Sequence, residues 1–415
     1  LYGVELETLD VNIMGKENIL YLMLVILFLS GCIDKTQQLN TSSETPANVT
    51  NELVVGALLP LSGDLAFSGE AAKTALEVAL EDVSTYLSDE EPGMKVRLVI
   101  EDTETSPSVA VEKIRKLKDA GAIFVIGTDS SAELEAVKPF ADANGMILIS
   151  HGSTAPSLSI AGDNVFRLLP SDEYQAEALA ALMWKDGIKA VVPIWRGDVW
   201  GDGLHNAVKT KFEALGGVMH EGVRYNPETD FSAEVDALSA EVSKAVNMYG
   251  KNKVAVHYMG FNEAVTLFDR AKNNTALKVR WYGSDGTALD SSLISNTGVA
   301  SFAVETGFVT PFYSIEIKDL EERVKALYGA AHVFGLVAYD ALWLSTLTYT
   351  ASNKSIDINV LKKVLMQTAA SYQGATGVTE LNEAGDRRFA TYDIWAIQEK
   401  NGTFNWERVD KYPFN

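Results

Sequence analysis

Ile123-Phe124-Val125-Ile126-Gly127-Thr128-Asp129-Ser130-Ser131 is a short apolar run that breaks into a glycine and a row of polar residues, and a helical pattern follows from Ser131 to Ala143. Asn144-Gly145 stops that pattern. Met146-Ile147-Leu148-Ile149 then opens a second apolar run, which breaks in turn into Ser150-His151-Gly152-Ser153-Thr154-Ala155-Pro156. Consecutive apolar residues suit a strand buried on both faces, and a helix between two such runs is the crossover that joins parallel neighbours. The pattern therefore predicts a parallel sheet covered by helices on both sides.

The same alternation extends outward. Upstream, Leu53 to Leu59 and Val96 to Ile100 read as strands, with helical patterns at Ala71 to Leu87 and Val109 to Ala120. Downstream the rhythm restarts. Helices are predicted over Glu173 to Trp184, Gly203 to Leu215, Phe231 to Val246 and Glu263 to Lys272. Strands are predicted at Ala190 to Ile194, Val218 to Tyr225, Val254 to Tyr258 and Val279 to Tyr282. Two successive runs of this kind imply two α/β lobes, without residue-level repetition between them. The last part changes character: helical patterns at Leu320 to Tyr328, Val333 to Tyr349 and Ile358 to Thr368 precede an expected hairpin, Gly377 to Ile397, turned at Glu383-Ala384-Gly385-Asp386.

The N-terminal part is of another kind. Ile19 to Leu29 is an unbroken apolar run, preceded by Met14-Gly15-Lys16 and ended by Leu29-Ser30-Gly31-Cys32, which holds the single cysteine. Such a run falls short of the roughly 20 residues that span a bilayer and suits the core of a secretory leader. The small-small-Cys ending resembles a lipobox, in which Cys32 is diacylated and becomes the first mature residue. Residues 1–31 are thus read as a leader, with Met14 the expected start. Residues 32–51 are read as a polar, flexible tether from a lipid-anchored Cys32, with almost nothing to bury.

The net charge of −21 argues against nucleic acid or an anionic membrane surface as partner, since both would repel the chain. With Cys32 used by lipid, the body has no thiol for a disulfide, a metal site or a nucleophile. No phosphate-binding glycine loop, no zinc-protease motif and no nucleophile elbow occurs, and the five histidines are scattered. No cofactor and no metal are expected, and binding is favoured over catalysis. A hydrolase on a doubly wound sheet would need an activated nucleophile, and none is evident.

What remains are turns at the carboxyl ends of strands, where open α/β sheets bind ligands. The 127–131 turn opens a helix, whose unpaired N–H groups and partial positive charge suit a carboxylate. The alternative there is that Ser130 or Ser131 caps its own helix. At the next turn Gly152 permits close backbone approach and Thr154 offers a hydroxyl. In the second run Trp281-Tyr282-Gly283-Ser284-Asp285-Gly286 places Asp285 where it could hold a cation, or serve as an ordinary turn aspartate. Trp200 sits among residues that favour a loop, and Phe261 follows Met259-Gly260; both could be packing residues.

The order and spacing of several segments resemble the type I periplasmic solute-binding proteins, in the leucine/isoleucine/valine-binding branch. The carrying segments are Leu58 to Gly69, Glu101-Asp102-Thr103, Ile126 to Ser131, Ile149 to Pro156, Ala338-Tyr339-Asp340-Ala341, Thr376-Gly377-Val378 and Asn382 to Asp386. The resemblance implies two doubly wound parallel-sheet lobes joined by a three-crossover hinge. The crossovers fall near Pro170-Ser171, Thr310-Pro311 and Phe389-Ala390. The first lobe would be 52–170 plus 311–389, the second 171–310 plus 390–415. By the same resemblance Ser130 grips an α-carboxylate, Gly152 and Thr154 contact carboxylate and ammonium, and Asp285 neutralises the ammonium. Trp200 closes the cleft where a tyrosine is usual, Phe261 and Phe334 form walls, and Ser68 stands at the mouth. The implied function is capture of an amino acid, apolar or branched-chain, outside the cytoplasmic membrane and its delivery to an ABC transporter permease. A sensing module of the same fold, or a binder of an amide or aromatic acid, is the alternative.

Overall fold

Strands form where apolar residues run together, and in this chain their side chains divide between two helix layers. The computed structural model describes residues 51–315 and 333–414. The leader, the Cys32 anchor, the tether as far as Thr50 and the helix expected at Leu320 to Tyr328 lie outside them.

The first lobe opens with β1 (Glu52–Leu59), α1 (Ala66–Glu90), β2 (Lys95–Asp102), α2 (Pro107–Asp119), β3 (Phe124–Ile126), α3 (Ser131–Asn144), β4 (Ile147–Ser150) and β5 (Val165–Pro170). The second holds α4 (Asp172–Lys185), β6 (Ala190–Arg196), α5 (Val199–Ala214), β7 (Val218–Met219), β8 (Val223–Tyr225), α6 (Ser232–Tyr249), β9 (Val254–Met259), α7 (Ala264–Ala271), β10 (Arg280–Tyr282), α8 (Ser291–Ser295), α9 (Thr297–Glu305) and β11 (Val309–Tyr313). The chain then returns to the first lobe for α10 (Val333–Ala351), α11 (Ile358–Ser371), β12 (Gln373–Gly374), β13 (Gly377–Val378) and β14 (Asp386–Arg387). It ends in the second with β15 (Tyr392–Lys400) and β16 (Thr403–Tyr412).

The first sheet has the order β14-β5-β4-β3-β1-β2 and is parallel throughout. Val55, Ala57, Phe124, Ile126, Ile147 and Ile149 face Leu76, Val83, Val337 and Leu344 of α1 and α10. The alternate residues Leu58, Val125 and Leu148 face Ile114, Leu117, Leu134 and Val137 of α2 and α3. That two-residue period is why an unbroken apolar run is needed when both faces are covered. The second sheet has the order β16-β15-β11-β10-β9-β6-β7, with β8 also on β6. It is parallel from β7 to β11, and β15 and β16 add to it antiparallel. The architecture is therefore mixed α/β with two doubly wound sheets.

Four local expectations are corrected. The span Val218 to Tyr225 is two short strands, β7 and β8. Trp200 lies in the first turn of α5, not in a loop, because Asp198 caps that helix by accepting from Gly201 N at 2.9 Å. The hairpin expected over Gly377 to Ile397 does not form. A turn is present, with Gly385 N donating to Asn382 O at 3.0 Å, but β14 joins β5 in the first sheet while β15 pairs with β11 and β16 in the second. The long hairpin is β15–β16. The crossover assigned to Thr310-Pro311 comes later, since β11 stays paired with β15 through Tyr313. The chain enters the second lobe between Pro170 and Asp172, and passes to it again between Arg387 and Tyr392.

Several motifs singled out in the sequence are internal fasteners of the first lobe. Asp340 on α10 accepts from Ala375 N (2.7 Å), Thr376 N (2.9 Å), the Thr376 hydroxyl (2.5 Å) and the Tyr372 hydroxyl (3.2 Å). Arg167 on β5 grips Asp386 through Nε (2.5 Å) and Nη2 (2.6 Å), with both side chains buried. Arg387 donates to the carbonyls of Leu168, Thr376 and Val378. These bonds lock the returning segment onto β5.

Candidate functional site

Parallel strands carry their following turns to one sheet edge, and the two edges of this molecule face each other across a cavity of about 90 Å³. The first lobe supplies Gly63 to Ser68 from the start of α1, Asp129 to Ser131 at the start of α3, Gly152, and Phe334 from α10. The second supplies Trp200, Phe261, Asn262, Asp285, Gly286, Ala288 and Asp290. Seven of the eight residues picked out in the sequence, Ser68, Ser130, Gly152, Trp200, Phe261, Asp285 and Phe334, line this one cavity. Thr154 does not. It is buried behind the turn, and its hydroxyl donates to Asp172 Oδ2 at 2.9 Å.

The first-lobe turns are stitched together by hydroxyls. Ser150 Oγ donates to Thr128 O (2.8 Å) and accepts from Ser153 N (2.9 Å). Ser131 and Ser153 share a hydroxyl bond of 2.8 Å, and Ser131 Oγ accepts from Thr154 N and Ala155 N at 3.3 and 3.2 Å. Ser130 is the N-cap of α3. It accepts from Glu133 N at 3.2 Å and donates to Glu133 Oε2 at 2.7 Å. Its hydroxyl is thus engaged in a capping box, as the capping alternative foresaw, while its main chain still borders the cavity. The N–H groups of Ser131 and Ala132 in the first turn of α3 have no partner within the helix. They provide an anion-favouring end at the cavity floor.

The second lobe forms the roof. Trp200 stacks on Phe261 with ring centroids 4.8 Å apart, and the Arg196 guanidinium lies 4.6 Å above Phe261. A Cβ at Gly286 would come within 2.8 Å of the Phe261 ring and 2.7 Å of Gly260 O, so only glycine lets this turn meet the aromatic pair. Asp285 is 8% exposed. Its N–H donates to Gln175 Oε1 at 3.0 Å, and its Oδ1 accepts from Gly286 N at 3.0 Å. Gln175 Nε2 reaches Asp172 Oδ1 at 2.7 Å, so Thr154, Asp172, Gln175 and Asp285 form one chain of bonds from the first lobe to the second.

Electrostatically the cavity is acidic. Four aspartates line it, at 64, 129, 285 and 290, and none of its lining residues is basic. Burial pushes the Asp285 carboxyl up to about 6, against the opposing pull of Gln175 and the Gly286 N–H. Asp172 behind it is raised well above the ordinary range, by burial and then by the Asp285 charge. Burial likewise takes Asp129 to about 7, against the pull of the Ser68 hydroxyl, with Glu133 and Asp285 adding repulsion. Asp64 pairs with Arg196 Nη1 at 3.1 Å across the cleft, and Asp290 caps α8 by accepting from Ser292 N at 2.8 Å. Arg196 is also held by Asp198 and Glu263, each at 2.8 Å, so its charge is already balanced.

Asp129, Ser131, Asp172 and Asn262 were not picked out in the sequence. Asp129 and Ser131 stood in a quoted motif, and position beside Ser130 was the available signal. Asp172 and Asn262 gave none, because their place at the site comes from distant segments. Among the described residues no cluster of ligating side chains is arranged for a metal.

The receptor family ligand binding region matches residues 71–400 of the chain. An uncharacterised protein of Methanocaldococcus jannaschii is 30% identical over 90% of this chain and 93% of its own length. A Leu/Ile/Val-binding protein homologue of Brucella melitensis is 24% identical over 83% of this chain and 91% of that protein. Among solved structures, a leucine-binding protein of Thermotoga maritima superposes with a TM-score of 0.68 at 22% identity, covering 86% of this chain and 98% of that one.

Proposed function

Since the chain belongs to the receptor family ligand binding region, with the type I periplasmic solute-binding fold, and this family binds ligands without transforming them, we propose that it captures an α-amino acid by cleft closure. The amino acid is then delivered to an ABC transporter permease.

One observation carries the reading. An unneutralised buried carboxylate, Asp285, on one lobe faces the helix start and stitched turns of the other across a single cavity. A zwitterion fits that polarity. Its carboxylate meets the N–H groups at the start of α3 and the Gly152 turn, and its ammonium meets Asp285. Charge-assisted hydrogen bonds in a closed cleft are the strong kind. Ser130 contributes through its main chain. Thr154 acts behind the turn, holding Asp172 beneath Asp285, so its effect on the ligand is indirect. Trp200 and Phe261 close over the side chain from the second lobe, with Phe334 and Ser68 opposite. The Asp64–Arg196 pair joins the lobes when they close, which is how binding becomes visible to a permease.

The place of action is outside the cytoplasmic membrane. The apolar Ile19 to Leu29 run and the Leu29-Ser30-Gly31-Cys32 ending support secretion and lipid attachment at Cys32. Metabolic labelling with a radiolabelled fatty acid, lost in Cys32→Ser, tests the anchor. Isothermal titration of the full chain against the twenty amino acids tests the ligand class. Saturable one-site binding without product formation is expected. Absence of binding by every amino acid, or steady turnover of one, would sink the proposal.

A further inference from the structure

An α-ammonium at Asp285 and a carboxylate at the start of α3 leave one buried carboxylate of the cavity with no hydrogen bond of its own. Asp129 is 3% exposed, lines the cavity, and has no hydrogen-bond partner at either carboxylate oxygen among the described residues. The Ser68 hydroxyl is its polar neighbour and closes no bond of its own. On the other side stands Gly152, where an added Cβ would come within 2.0 Å of Asp129 Oδ1. The turn thus keeps open the space that the carboxylate occupies. No cation of the protein compensates it: the lining has none, and Arg196 is held by Asp64, Asp198 and Glu263.

A buried carboxylate with no counter-charge and only a hydroxyl nearby that closes no bond is destabilising unless a ligand supplies charge and donors. We propose that the ligand is a basic α-amino acid, whose side-chain ammonium or guanidinium is held by the Asp129 carboxylate. This rests on the α-amino-acid reading above and adds the side-chain class to it. A leucine or isoleucine side chain would press an apolar surface on Asp129 and leave its oxygens bare. A basic side chain supplies N–H donors and a positive charge at once, as charge-assisted pairs require. Each of the two buried cleft carboxylates, Asp129 and Asp285, then meets a cationic group, and the α3 N-terminus meets the ligand carboxylate.

The test compares lysine with norleucine, which lacks only the side-chain ammonium, and with cadaverine, which lacks only the carboxylate. Isothermal titration of the full chain is expected to give lysine an advantage over norleucine of about tenfold or more, with cadaverine weaker than lysine. In Asp129→Asn that advantage should fall to near parity, chiefly through weaker lysine binding. Removal of a buried unpaired charge should leave the melting temperature of the unliganded variant undiminished. The wild-type comparison stands alone if the variant does not fold. Norleucine binding as tightly as lysine in the wild type would overturn the basic side chain and leave the amino-acid reading intact. Cadaverine binding as tightly as lysine, or no binding by lysine and norleucine alike, would overturn the amino-acid reading itself and this inference with it.

Discussion

Asp386 and Asp129 are both buried aspartates of the first lobe, and their surroundings are opposite. Asp386 is gripped by Arg167 through two bonds and takes a third, of 2.6 Å, from the Ser159 hydroxyl. Asp340, in the same seam, takes four. Asp129 takes none, and Asp285 across the cavity takes one, from its own neighbour Gly286. Burial is nearly the same in both regions, so the contrast lies in partners. The seam is complete by itself and serves the fold. The cleft is incomplete by itself, and its missing donors define what must enter it.

The seam gives the largest expected effect. Asp386→Ala leaves the Arg167 guanidinium buried without its counter-charge, which should remove about 3–5 kcal/mol of stability in urea unfolding. Ligand affinity of the folded fraction should stay within the error of titration. A fall in affinity without a fall in stability would break the contrast. Next comes the cleft. Asp285→Asn should weaken α-amino-acid binding by about 1.5–3 kcal/mol, the contribution of a hydrogen bond to a charged group, and leave the unliganded protein no less stable. Calorimetry and thermal melting read the two effects separately. An equal loss for a ligand without an ammonium would contradict the assigned role.

A third test is pH. The folded-state values of Asp129 and Asp285, about 7 and about 6, lie above the 3.8 of the free side chain. The folded protein therefore binds more protons than the unfolded chain in between, and its stability falls as pH rises through that window. The loss is absent below about pH 4, grows toward pH 7 and is constant above. Glu133 and Asp172, the carboxylates that face them, are raised by burial as well and deepen the same trend. Unliganded protein should thus melt higher at pH 5 than at pH 7.5, and ligand should bind more tightly as the acids ionise. Double replacement by asparagine should flatten both profiles. The smallest effect is expected at the cleft edge. Asp64 is half-exposed, so Asp64→Asn should alter closure by only about 0.2–1 kcal/mol, read as faster ligand release in stopped flow.

Much of the fold was legible because it is written in local order. The four residues Met146 to Ile149 fix a buried strand, Asn144-Gly145 fixes a helix end, and their repetition fixes two sheets. The same logic brought Gly152 and Asp285 to facing sheet edges. It failed where partners decide. The Gly377 to Ile397 segment has turn and strand residues suited to a hairpin, yet each half pairs with a different sheet. Ser130 and Thr154 were read for their hydroxyls, and both hydroxyls are engaged by carboxylates, at Glu133 and Asp172.

By itself the sequence determined the strand and helix alternation, the two-lobed sheet architecture and the turns that meet at the cleft, because periodicity and turn chemistry act over a few residues. Tertiary structure alone decided which acids are neutralised and which wait for a ligand. Arg167 and Asp386 stand 219 positions apart, and Gln175 and Asp285 110. The state of a buried charge depends on what folding brings within hydrogen-bond reach, and no local pattern encodes it.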